Sequence, residues 1–193
     1  MNGIYQIIKE TGISPDKVEK VKVGSFDLCT RHPFSNSHPK TFEEAIFSTK
    51  YLIALAIMGI PPGPNWYQKE LLNSPEVLAL ADKVTLCSDE EANSYWPERM
   101  LAKVILYTSD QSFCKRVDFP LGEPENPMTE EDITNKFMQL TKTFFNTGQQ
   151  QQCLEFIQNL EKKEKAAELV NLLTISHSRK GVVGLFDYPD RRR

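Results

Sequence analysis

Apolar positions recur along this chain at two periods, and the changes between them mark its parts. Residues 3–11, GIYQIIKET, put Ile4, Ile7 and Ile8 at helical spacing, and Gly12 follows as a stop signal. After a Ser-Pro-Asp turn, Val21 and Val23 alternate with Lys20, Lys22 and Gly24, so residues 18–28 read as a half-buried strand. CTRHPFSNSHPK at 29–40, with two His-Pro steps, is a loop. Thr41 then opens a long helix running to about Met58, with Glu44 three residues on as in a capping box. This helix is apolar nearly all round, which predicts a central buried position, and GIPPGPN at 59–65 stops it.

Beyond the prolines the pattern predicts a short helix near 66–72 and another near 75–81 with Pro75 in its first turn. Strands are predicted at 82–88, 100–108 and 112–119, the last two joined by SDQ as a hairpin. Thr129 starts a helix with Ile133, Phe137, Leu140 and Phe144 on one stripe, ended by Gly148. A last helix, from about 150 to 173, carries Leu154, Ile157, Leu160, Ala167 and Val170 on one face, while Met138, Phe145 and Phe156 lie off both stripes and are expected to be exposed. The expected fold is α+β: a two-layer sandwich with a four-stranded, mainly antiparallel sheet in residues 1–121, a joint at 122–128, two C-terminal amphipathic helices in 129–175 and a tail at 176–193.

Composition narrows the function classes. The 193 residues are 40% hydrophobic and 25% charged, ordinary for a soluble globular protein. The net charge of −3 and the lack of a basic stripe with interleaved aromatics argue against a nucleic-acid binder, and Arg191–Arg193 reads as a solvated tail. Cys29, Cys87, Cys114 and Cys153 are widely spaced, which fits free thiols in a reducing compartment better than a zinc site or a disulfide framework. No signal peptide is evident, and the most apolar run, Tyr51 to Ile60, has about half the length needed to span a bilayer. A cytoplasmic protein without membrane attachment is expected.

The joint is locally well specified. In GEPENPMTEED, Pro127 forces Asn126 toward an extended conformation, Thr129 is placed to cap, and Glu130, Glu131 and Asp132 face the positive end of the helix dipole. Asp132, three residues past the cap, makes a shortened capping box. A tight strand-to-helix turn and a crossing between domains would both look like this.

Three segments together resemble the MmgE/PrpD family. GEPENPMTEEDITNKFMQL is similar to a family signature through Gly122, Pro124, Asn126, Pro127, Met128, Thr129, Lys136 and Phe137. HPKTFEEAIFSTKYLIALAIMGI matches a second through Glu44, Ala45, Ser48, Tyr51, Ala54, Ala56 and Gly59, and GISPDKVEKVKV matches a third. The resemblance covers about residues 3–145 and implies the smaller α+β domain of enzymes such as 2-methylcitrate dehydratase, cis-aconitate decarboxylase and iminodisuccinate epimerase. These act on small polycarboxylates without a metal, so no cofactor is expected. The resemblance also implies that the joint leads back to a helical domain, whose N-terminal half this chain would lack. Homo-oligomerisation through 129–173 is then expected, because the two helices lack the domain that would cover them; a separately encoded helical chain is a candidate partner, and a polycarboxylate is a substrate only of the completed site.

Candidate site residues follow. Tyr51 matches the family tyrosine thought to act in proton transfer; a helix tyrosine with its ring in the core is the competing reading. Ser48, one turn earlier on the same face, is a candidate substrate-binding residue, or it bonds its own helix. His32 is a second substrate-binding candidate; for it and for His38, which also precedes a proline, a surface imidazole in a turn is the commoner reading, and His177 reads as solvated in the tail. No metal-ligand spacing, phosphate loop or Ser/His/Asp order appears, and the adjacent pairs Glu43-Glu44, Glu90-Glu91 and Glu130-Glu131 do not face one another as dyads. A non-catalytic binding or regulatory module and a self-associating structural remnant remain alternatives to an enzyme part.

Overall fold

The computed structural model describes residues 1–174, so Arg191–Arg193 and His177 lie outside the described residues. The described chain falls into two compact units, one from Met1 to Pro127 and one from Met128 onward.

The first unit is α+β, as its two periods predict. Helix α1 (Asn2–Thr11) buries Ile4 and Ile7 and ends at Gly12, whose φ of 64° is one that a Cβ would disfavour. Strand β1 (Lys20–Ser25) follows, then α2 (Phe42–Phe47) and α3 (Thr49–Ile57). The single helix expected over 41–58 is therefore two, broken at Ser48, where ψ is 96°. The expected helix near 66–72 is a 3-10 turn at Pro64–Tyr67 and one α-turn, α4 (Lys69–Leu72). Helix α5 (Pro75–Asp82), with Pro75 in its first turn, leads into β2 (Val84–Ser88). A helix that periodicity does not announce, α6 (Glu90–Tyr95), precedes the hairpin of β3 (Ala102–Tyr107) and β4 (Ser112–Val117). Each strand is a few residues shorter than its apolar run.

The sheet order is β2-β1-β3-β4. β1 runs parallel to β2 and antiparallel to β3, and β3 runs antiparallel to β4, so the sheet is mostly antiparallel. Val21, Val23, Val84, Val104 and Leu106 point to one face, where they pack with Ile4 and Ile7 of α1, Tyr51, Ile53 and Leu55 of α3, and Val77 and Leu80 of α5. The opposite face carries three rows. Lys20, Tyr107 and Ser112 form the first; Thr85, Lys22, Ile105 and Cys114 the second; Cys87, Gly24, Lys103 and Arg116 the third. The third row is covered: a Cβ on Gly24 would lie 3.5 Å from Asp89 Cβ.

The first unit ends in a tight turn. Gly122, at φ 106°, donates its N–H to the Asn126 carbonyl at 2.8 Å, and Asn126 Nδ2 reaches the Phe119 carbonyl at 2.9 Å. A φ of this size favours glycine.

In the second unit, α7 (Glu130–Thr141) opens with the full capping box: Thr129 accepts from the Asp132 N–H, and Asp132 accepts from the Thr129 N–H at 2.9 Å. The helix ends at Thr141. Gly148 is not its stop but lies in the first turn of α8 (Thr147–Gln158), which Asn146 caps. The long last helix expected over 150–173 is interrupted after Gln158 and resumes as α9 (Ala167–Leu173). Moving these boundaries changes which side chains are covered. Phe145 and Phe156, expected to be exposed, are buried, whereas Ile133, Ile157, Leu160 and Val170 are exposed. Buried Gln150 donates from Nε2 to the Met138 carbonyl and to Thr141 Oγ1, both at 2.7 Å, and so pins α8 to the last turns of α7. Among the described residues no helix is long and apolar enough to cross a membrane.

Candidate functional site

Ser48 and Tyr51 meet at the break between α2 and α3. Ser48 is fully buried; its hydroxyl accepts the Tyr51 N–H at 3.1 Å, capping α3, and donates to the Asn36 carbonyl. It does not bond back to its own preceding turn, as one reading of the sequence had it. The bond to Asn36, together with Thr49 N–H donating to the Phe34 carbonyl at 3.0 Å, fastens the 29–40 loop to the start of α3. Asn36 continues the connection, with Oδ1 accepting the His38 N–H at 3.0 Å.

Tyr51 is likewise fully buried. Its ring belongs to the core, and its hydroxyl donates to the Trp66 carbonyl at 2.7 Å. Trp66 in turn donates from its indole to the Ile60 carbonyl at 3.1 Å, so the proline-rich loop folds down over α3. Burial pushes the Tyr51 phenol up to about 12, and Tyr67 nearby adds to the shift. At neutral pH this phenol keeps its proton and spends it on a backbone carbonyl.

His32 stands apart. It is exposed, in the loop before Pro33, with no side-chain hydrogen bond among the described residues. His38, also exposed, meets Asp82 of α5 at 3.0 Å. Of the three predicted site residues, the structure joins Ser48 and Tyr51 directly, and brings in only the loop that carries His32. An open cleft of about 410 Å³ is lined by residues of the second unit alone, among them Asn146, Gln149 and Asn171, and contains none of the three.

The sequence reading missed the main charged constellation. Lys103 of β3 bridges Asp89 at 3.1 Å and Glu91 at 2.8 Å, and Arg116 of β4 bridges Glu91 and Asp118, each at 2.8 Å. Arg99 adds a contact to Asp118 at 3.3 Å and lies between the rings of Tyr95 and Phe119. The Arg116 guanidinium holds the Glu91 carboxyl below its usual range, with Lys103 assisting; it does the same to Asp118. The Ala92 N–H, at the α6 cap, and then Lys103 lower Asp89. Asp89 before two glutamates was the available signal, since Asp followed by acidic residues is a helix start.

Carboxylates depressed in the folded state stabilise it above their unfolded values, and that contribution is lost as pH falls through the folded ones. Stability is therefore expected to decline below about pH 4.5, the ordinary value for Glu91. Glu91→Gln should flatten the decline in a series of urea midpoints from pH 7 downward. An unchanged acid slope in that variant would show that these pairs are not coupled to folding.

Among the described residues no group of three or more His, Cys, Asp or Glu is placed to hold a metal ion. What the site defines is an α+β domain with a helical layer on one sheet face and a buried Ser–Tyr pair at a helix break, followed by a helical unit. The chain belongs to the MmgE/PrpD C-terminal domain family, whose sequence model matches residues 1–162. No curated protein matches it closely enough to be named as a relative.

Proposed function

We propose that this chain is the C-terminal part of an MmgE/PrpD-type lyase or isomerase for small polycarboxylates, dehydratase-like in its chemistry, and that a helical chain supplied separately completes its site. The family match over residues 1–162 carries this reading. The commitment of Tyr51 to the Trp66 carbonyl supports the second half of it: the phenol that matches the family tyrosine is neither free nor near its ionisation range. Proton transfer needs groups held in fixed mutual geometry, so the partners of Tyr51 must come from outside the described residues, and assembly must release its hydroxyl. No cofactor is required.

The test has two arms. The purified chain is expected to turn over none of 2-methylcitrate, cis-aconitate or iminodisuccinate, and affinity capture from native extract followed by mass spectrometry is expected to return a helical chain of the same family. Turnover by the chain alone, lost in Tyr51→Phe, would overturn the proposal.

A second reading is favoured by the same bond. If Tyr51 stays locked, the domain is a non-catalytic binding module, and it binds a polycarboxylate without a partner. The exposed Ile133, Ile157, Leu160 and Val170 support association through residues 129–173, either with the helical chain or with a second copy.

A further inference from the structure

The sheet face opposite the core is only partly covered. In its third row, Lys103 and Arg116 receive Asp89 and Glu91 from the α6 segment, which lies over Gly24 and buries it. In the first two rows Lys20 and Lys22 are exposed, and neither has an ion pair or side-chain hydrogen bond among the described residues. Between and beside them lie the half-buried Ile105 and Tyr107. The same face thus repeats one chemistry, cations flanking small or apolar positions. It is answered by carboxylates at one end and by none of the described groups at the other.

We propose that the first two rows are a docking surface for an acidic helical segment of another protein. That segment would extend the cover α6 begins, laying carboxylates on Lys20 and Lys22 and one aliphatic side chain on Ile105 and Tyr107. Charge complementarity selects the occupant: Lys103 and Arg116 show which cover this face accepts, and a neutral or basic segment would leave two ammonium groups unanswered. Exposed single ion pairs are weak, so the contact is of modest affinity, electrostatically steered and sensitive to salt. This surface is independent of the proposed enzyme assembly, because it uses neither the Tyr51 region nor residues 129–173.

The test is a titration of the isotope-labelled full chain with a short synthetic helical peptide of Glu, Ala and Leu, followed by amide shifts. The control peptide carries Gln at every Glu. The acidic peptide is expected to move amides around Lys20, Lys22, Ile105 and Tyr107, and the Lys20→Glu/Lys22→Glu double variant to weaken binding about tenfold or more. Both substitutions lie on an exposed face, and unchanged amide positions in α1, α3 and α5 confirm that the variant folds. Equal shifts with the Gln peptide, undiminished binding by the double variant, or tighter binding of a single-stranded oligouridylate to the same amides would each overturn the proposal.

Discussion

Tyr51→Ala is expected to destabilise the first unit by about 3–5 kcal/mol, the range for emptying a fully buried aromatic site. The ring is wholly enclosed among α1, α3, α5 and the sheet, so no solvent-side collapse can fill the space. Tyr51→Phe keeps the ring and removes only the bond to Trp66, leaving that carbonyl without its partner, for a loss of about 1–3 kcal/mol. The pH dependence separates this bond from packing. An acid whose folded value is raised stabilises fully below its unfolded value and loses that contribution as pH rises through the folded one. For Tyr51 the window runs from 10.0 to about 12. Wild-type stability should fall across it, and Tyr51→Phe should flatten the fall. Urea midpoints at neutral and alkaline pH measure both effects. A loss below about 1 kcal/mol in the alanine variant would mean that the core closes without the ring.

Ser48→Ala is expected to lose about 2–4 kcal/mol, more than a surface helix cap does. Two functions are removed at once. The Tyr51 N–H loses its cap, worth about 1 kcal/mol, and the half-buried Asn36 carbonyl loses its donor, worth about 1–3 kcal/mol. The second loss should release the 29–40 loop. Amide hydrogen exchange at Thr49, bonded to the Phe34 carbonyl, should accelerate before the core amides of α3 do. If Thr49 and Leu55 accelerate together, the loop and helix open as one body and the serine is only a cap.

The break at Ser48 was not legible in the sequence. Residues 42–57 contain no glycine or proline, and the apolar run is continuous enough to read as one helix. The break comes from Asn36, twelve residues earlier, whose carbonyl claims the serine hydroxyl. Such a bond leaves no local pattern. The ion pairs over the third row escaped for the same reason: Glu91 and Arg116 are 25 positions apart, and nothing in either neighbourhood names the other. Helix α6 was missed because it buries only Ala92 and so shows no apolar stripe. Where structure is dictated nearby, the sequence spoke clearly. The Thr129–Asp132 box, the stop at Gly12 and the alternation of β1 all rest on contacts within a few residues or on period two. Tyr51 and Ser48 were found through family likeness; the all-round apolar helix announced the burial of the Tyr51 ring, whereas the partners of the two hydroxyls, the Trp66 and Asn36 carbonyls, leave no local pattern.

The order β2-β1-β3-β4 also sets a timetable. β1 is the first strand made and an inner strand of the finished sheet, yet its neighbours are β2 and β3, which lie far along the chain. At synthesis rates of about 5–20 residues per second, roughly ten seconds pass between the emergence of β1 and that of β3. Until β2 emerges Val21 and Val23 have no strand to join, and until β3 follows one edge of β1 stays open to pairing with another nascent copy. The β3–β4 hairpin, by contrast, can close within microseconds of leaving the ribosome. Completion of the first unit's sheet is therefore paced by translation of its last strands.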